Sequence, residues 1–210
     1  MTYGIANELL TLNTATYGYD PNGNRNRKTD TAGETIYAYD DEDRLIRVEA
    51  NSGAQVITYT YDPFGRRIEK NVNGTVTRYL YDGEDILLEY DLTGTVITRY
   101  IRGPGIDEPL AIEKNGQLYY FHADDLGSII ALTDGTGTVV QRYQYDAFGA
   151  ILSNMPALVQ PYTYTAREHD PETGLYYYRA RYYDPKAGRF LQKDPIGFAG
   201  GDANLYAYLA

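Results

Sequence analysis

At 210 residues the chain is long enough for one globular domain, or two small ones, with a buried core. Its 19 basic and 29 acidic side chains leave a net charge of −10, which argues against electrostatic capture of nucleic acid or anionic lipid. The lack of cysteine excludes disulfides, thiolate zinc sites and cysteine nucleophiles. No run of about 18 apolar residues is present, so no membrane insertion as a helix is expected. The start, Met1-Thr2-Tyr3-Gly4-Ile5-Ala6-Asn7, has neither a basic nor a hydrophobic segment. No signal peptide is expected, and the chain is read as exported without one or as a piece of something longer. Tyrosine is in excess, with 24 residues against 5 Phe and no Trp. Any core is therefore partly tyrosine, and its hydroxyls need partners.

In chain order, the first predicted unit centres on Tyr17-Gly18-Tyr19-Asp20. The same Tyr-x-Tyr-Asp pattern returns at Tyr37-Ala38-Tyr39-Asp40, Tyr59-Thr60-Tyr61-Asp62 and Tyr79-Leu80-Tyr81-Asp82, in steps of 20, 22 and 20 residues. It reappears at Tyr143-Gln144-Tyr145-Asp146. The steps between are degenerate and are read as Tyr100-Ile101-Arg102 and Tyr120-Phe121-His122. Behind each aspartate comes turn chemistry. Asp62-Pro63-Phe64-Gly65 places Asp, Pro and Gly at the positions a type I turn favours, and Asp146-Ala147-Phe148-Gly149 is a looser version. The aspartate is expected to cap its own turn, with Arg25, Arg44 or Arg66 following.

Before the turn, residues alternate: Gln55, Ile57, Tyr59 and Tyr61 share one strand face, and Val56, Thr58 and Thr60 share the other. After it, residues 67–72 alternate again and end at the hairpin signal Asn73-Gly74. One repeat is therefore strand, turn and returning strand. The expected fold is all-β: a repeat-built strip of antiparallel hairpins, thin and wet on both faces, stiffened by ladders of tyrosine rings. Its open edges invite self-association.

These repeats resemble the YD repeats of Rhs and teneurin-type proteins. The segment from Asp170 through Gly174, Tyr176, Arg179, Arg181, Tyr182, Tyr183 and Asp184, continuing to Gly188, Phe190 and Gly197, resembles the Rhs repeat-associated core. The resemblance implies YD-repeat hairpins over residues 1–118 and the core region over 119–210. It also implies part of a hollow β shell around a C-terminal passenger, a toxin of bacterial competition or delivery, in a secreted or cell-surface protein. The core further resembles an aspartic autoprotease that frees the passenger. Asp194 stands in its first Asp-Pro-x-Gly motif, with Arg189 or Arg181 to orient a carboxylate. The family's second such motif is expected beyond Tyr208, and none lies between Gly197 and Ala210. Asp-Pro-x-Gly is also the repeat's own turn, so Asp194 reads first as a turn residue.

Other chemistry finds little support. Asp20-Pro21-Asn22-Gly23-Asn24 begins like a calcium loop, but Arg25 takes the glycine position and Thr31 that of the bidentate glutamate. The only histidines, His122 and His169, have no zinc-ligand spacing and are read as replacing tyrosines. No metal or cofactor is expected. Tyrosine rings with a free face also stack on sugars, so a carbohydrate-binding module is kept as a third alternative.

Overall fold

The computed structural model describes residues 1–154 and 158–208. Among the described residues, strands follow one another in antiparallel hairpins, each pairing with its neighbours in sequence within its own unit. They divide between two compact units, residues 1–75 with 171–210 and residues 76–170. The predicted division at 118/119 falls inside a strand, Gln117–Ala123.

The first unit holds β1 (Thr2–Tyr3), β2 (Leu9–Leu12), β3 (Ala15–Tyr19), β4 (Arg25–Asp30), β5 (Gly33–Tyr39), β6 (Leu45–Ala50), β7 (Gln55–Tyr61) and β8 (Arg67–Val72). The second holds β9 (Thr75–Asp82), β10 (Asp85–Tyr90), β11 (Val96–Arg102), β12 (Pro109–Lys114), β13 (Gln117–Ala123), β14 (Ile129–Asp134), β15 (Val139–Tyr145) and β16 (Ile151–Asn154). Short strands follow: β17 (Glu168–Asp170) in the second unit, then β18 (Leu175–Tyr177), β19 (Tyr182–Asp184) and β20 (Arg189–Phe190) in the first.

The turn chemistry is as the sequence predicts, and more widespread. In Asp62 the Oδ1 atom accepts the N–H groups of Phe64 (2.9 Å) and Arg66 (2.9 Å), while the Gly65 N–H donates to the Asp62 carbonyl (2.9 Å). Asp40, Asp91, Asp124, Asp134 and Asp146 cap the same way. Asp43, at φ +59°, takes the left-handed position that glycine fills elsewhere. Asp82 departs from the pattern, because Gly83 and Glu84 alone join β9 to β10.

These caps carry an acid sensitivity. Asp62 is held below the ordinary carboxylate range: burial pushes it up, but the Arg66 N–H and guanidinium outweigh that. Asp40 is lowered by Arg44 against the same opposition. Asp91 and Asp134 are lowered first by the Thr93 and Thr136 hydroxyls or their adjoining N–H groups. Folded-state values below the unfolded one stabilise fully above it, and the gain is lost as pH falls through the folded values. The thermal midpoint should therefore hold between about pH 7 and 5 and drop below about pH 4, near the unfolded aspartate value. An unchanged midpoint at about pH 3 would contradict this.

A register shift recurs beside the second tyrosine position, at Gly18/Tyr19, Ala38/Tyr39, Thr60/Tyr61 and Gln144/Tyr145. It also marks Ile101/Arg102 and His122/Ala123. The second of these corrects the sequence reading by one residue. The repeat in phase is Phe121-His122-Ala123-Asp124, with Tyr119 and Phe121 packed on the core, while Tyr120 is exposed and His122 meets Thr133 at the surface (2.9 Å). A slip of one position moves every side chain to the opposite face.

The expectation of two wet faces is also overturned. The first tyrosines of the repeats, Tyr17, Tyr37, Tyr59, Tyr79 and Tyr143, with Tyr100, are between 4% and 9% exposed. In the first unit this face packs against the chain's own later segment: Tyr37, Leu45, Val48, Ile57 and Tyr59 share a core with Leu175, Tyr177, Tyr182 and Leu191. In the second unit Tyr79, Ile86, Tyr100, Ile112, Ile129, Leu132 and Tyr143 close around Tyr162. The other face of the first unit stays polar, with the Arg27–Glu34 (3.2 Å) and Arg47–Glu49 (2.8 Å) ion pairs. Alternation alone had shown that tyrosine lines one face, but not that the chain returns to cover it.

Candidate functional site

The tyrosine face and what lies on it make up the most developed surface of each unit. The second tyrosine of a repeat reaches back to the residue after the preceding turn. Tyr39 Oη donates to the Arg25 carbonyl (2.8 Å), Tyr61 to that of Leu45 (2.7 Å) and Tyr145 to that of Ile129 (2.6 Å). Where Arg102 replaces this tyrosine, its guanidinium donates to the Ile86 carbonyl instead (3.0 and 3.1 Å). The degenerate repeat keeps the bond and changes the donor.

Two buried arginines fasten the covering segment of the first unit. Arg25, fully buried, pairs with Asp184 (Nη1–Oδ2 2.7 Å), and its N–H donates to the Leu191 carbonyl (3.0 Å). Burial alone would lower the proton affinity of Arg25, yet the adjoining Asp184 carboxylate holds it above its ordinary value. Arg67 donates to Tyr182 Oη (3.2 Å) and lies over the Tyr177 ring, 4.6 Å from its centroid. An arginine that follows a turn can instead pair with the aspartate of that turn. That holds for Arg44 with Asp40 and Arg66 with Asp62 (2.7 Å each), but not for Arg25. In the second unit Thr163 plays the part of Leu191, its carbonyl accepting the Ile129 N–H (2.9 Å). Gly149, at φ +85°, lies so close to Tyr164 that a Cβ would sit 2.4 Å from the ring. Only glycine fits there.

The core-motif residues are structural in position. Tyr176, Tyr182 and Tyr183 are at most 1% exposed, Asp170 and Asp184 are buried, and Tyr183 meets Phe190 edge to face (5.6 Å). Arg179, Gly174, Gly188 and Gly197 occupy left-handed turn positions.

Asp194 opens a turn like those of the repeats: Oδ1 accepts the Ile196 N–H (3.0 Å), and its carbonyl accepts that of Gly197 (2.9 Å). It then diverges. The Asp194 N–H donates to the Leu205 carbonyl (2.8 Å), and Oδ2 pairs with Arg181 Nη2 (2.9 Å). Arg181 also donates to the Leu205 carbonyl (3.2 Å) and lies 3.8 Å from the Phe190 ring centroid. A cleft of about 120 Å³ beside them is lined by Asp194, Asp202, Asn204, Leu205 and Tyr208. Arg189, the other of the two arginines named from sequence as orienting groups, points elsewhere. It donates to the Asn7 carbonyl (2.7 Å) and Asn204 Oδ1 (3.2 Å) and lies over Tyr206 (5.0 Å). Arg181 holds Asp194 instead. No spacing rule separates the two arginines, since both flank aromatic residues.

A repeat-built β wall that buries its tyrosine side under polypeptide is a structural shell module. The teneurin YD-shell family model matches residues 1–200, and the chain belongs to that family. It is 39% identical to the tRNA nuclease WapA of Bacillus subtilis, over 99% of this chain and 9% of that protein. It is 31% identical to the double-stranded DNA deaminase toxin A of Burkholderia cenocepacia, over 98% of this chain and 17% of that protein. Among solved structures, TcdB2-TccC3 aligns with a TM-score of 0.65 at 21% identity, covering 92% of this chain and 13% of that one. The chain thus spans less than a fifth of each of these proteins.

Proposed function

We propose that the chain is a length of shell wall that encloses a C-terminal polypeptide passenger, a toxin, within a larger secreted or surface-delivered protein. The observation that carries this reading is the buried tyrosine face, which holds extended polypeptide against the strands through Arg25, Arg67 and the ring contacts. The relatives support it as well. A protein named as a tRNA nuclease and one named as a DNA deaminase share this segment, so the shared part serves what the two have in common and not either chemistry. Limited proteolysis of the full-length protein tests it. The passenger should resist cleavage in the intact protein and become sensitive when Arg25→Ala loosens the wall. Equal sensitivity in both would refute enclosure.

A second reading rests on the Arg181–Asp194 pair beside its cleft. A carboxylate fixed by a guanidinium is one half of an aspartic self-cleavage site, the other half being a second carboxylate that shares a proton with it. In the longer protein, Asp194→Asn should leave the passenger attached, seen as one band on a denaturing gel. Normal release by that variant would remove the reading and reduce Asp194 to a turn residue. The sugar-binding alternative loses ground, because the first tyrosine of each regular repeat is buried under the chain and only the second is left half-buried.

A further inference from the structure

The aspartate turns of the two units differ in one respect. In the first unit the fifth residue of the turn occupies the second carboxylate oxygen. Asp20 Oδ2 accepts from Asn24 Nδ2 (3.1 Å), Asp40 Oδ2 from Arg44 Nε (2.7 Å) and Asp62 Oδ2 from Arg66 Nε (2.7 Å). Arg44 goes further. Its guanidinium lies over the ring of Tyr61 in the next repeat, 5.3 Å from the centroid, and so bridges one repeat to the following one.

In the second unit the turn 124–128 occupies the same positions as 40–44. Asp124 Oδ1 caps the N–H groups of Leu126 (3.0 Å) and Ser128 (2.8 Å). Tyr145 donates to the Ile129 carbonyl just as Tyr61 does to that of Leu45. The fifth residue, however, is Ser128, which is buried and accepts the Thr165 N–H with its hydroxyl (3.1 Å). In the next turn, 146–150, it is Ala150. Asp124 and Asp146 consequently each keep an Oδ2 with no hydrogen-bond or ion-pair partner among the described residues. Both line one groove of about 510 Å³ together with Leu126, Ile130, Leu152 and Tyr145.

We propose that this groove binds an arginine side chain presented by another polypeptide segment. The place is the one that Arg44 fills from within the chain in the first unit. Asp124 and Asp146 supply the charge, Leu126, Ile130 and Leu152 cover the methylenes, and Tyr145, whose ring also packs near Tyr143 (6.1 Å) and Tyr164 (5.7 Å), lines the groove beside them. Arginine suits it better than lysine, because a planar guanidinium bonds a carboxylate and stacks on a ring at once. Attraction between a basic segment and a chain of net charge −10 adds to encounter at low salt.

The test compares two capped peptides, acetyl-Gly-Arg-Gly-amide and its citrulline counterpart, by NMR titration of the whole chain at low salt. Citrulline keeps the shape and removes the charge. The arginine peptide should bind about tenfold or more tightly than the citrulline one, with shifts at residues 124–130 and 144–152. Asp124→Asn with Asp146→Asn retains the Oδ1 acceptors that close the turns. It should reduce the arginine peptide to the citrulline level, whereas Asp91→Asn, outside the groove, should not. Equal binding of the two peptides, binding that survives the double substitution, or no binding at about 10 mM would each overturn the assignment.

Discussion

Replacing Arg25 by alanine is expected to cost about 3–5 kcal/mol of stability, read from urea denaturation of the chain. The side chain is fully buried and lies beside Asp184, a residue 159 positions away that is itself 5% exposed. Its loss strands a buried carboxylate whose remaining partners are the N–H groups of Lys186 (3.0 Å) and Ala187 (3.3 Å). It also removes a guanidinium 4.5 Å from the Tyr17 ring centroid. Since whole domains are stable by about 5–15 kcal/mol, this one change consumes a large share. The desolvation argument makes a second, opposite claim. Removing both charges, as Arg25→Met with Asp184→Leu, should recover most of the loss, because a buried pair and a well-packed apolar pair are nearly equivalent. A loss under about 1 kcal/mol for the single variant would show that the pair is not buried as described.

Tyr182 is the second site of large effect. Its ring is 1% exposed and packs on Tyr59 (centroids 5.4 Å apart) and Tyr177 (5.2 Å), while its hydroxyl accepts from Arg67 and meets Tyr61 Oη (3.2 Å). Truncation to alanine should cost about 3–5 kcal/mol, as for other large aromatic side chains removed from a core. Tyr182→Phe isolates the polar part and should cost about 1.5–3 kcal/mol, the range for hydrogen bonds to charged groups. If the phenylalanine variant is as stable as the parent, the covering segment is held by ring packing alone. Both can be measured from chemical denaturation with unchanged slope.

What the sequence disclosed was whatever recurs. The pairs Tyr17/Tyr19 to Tyr79/Tyr81 and their aspartates could be placed because period-two alternation and a 20–22-residue step leave a local signature. Two kinds of feature escaped. Phase was lost where the motif decayed: Phe121 and Ala123 hold the tyrosine positions, but Tyr120 imitates them one place off. Contacts made once across long separations, such as Arg25 with Asp184 or Arg67 with Tyr182, have no periodicity, so the covered face, and the choice of Arg181 over Arg189 as the partner of Asp194, are fixed only by the fold. The arginine groove lies between these cases. Ser128 at the place of Asn24, Arg44 and Arg66 is visible in the sequence, but its meaning depends on knowing what those residues fill.

The hydroxyl that Tyr39, Tyr61 and Tyr145 each extend to the carbonyl after the preceding turn spans only 14 to 16 residues of chain. Each of these clasps joins a repeat to its immediate neighbour, although the Tyr61 hydroxyl also meets that of Tyr182. A duplication or deletion of one whole repeat therefore leaves every clasp with a match, whereas a change of half a repeat leaves a hydroxyl and a carbonyl without one. Wall length becomes something that evolution can adjust in single steps of about twenty residues, much as a fence is lengthened by the panel.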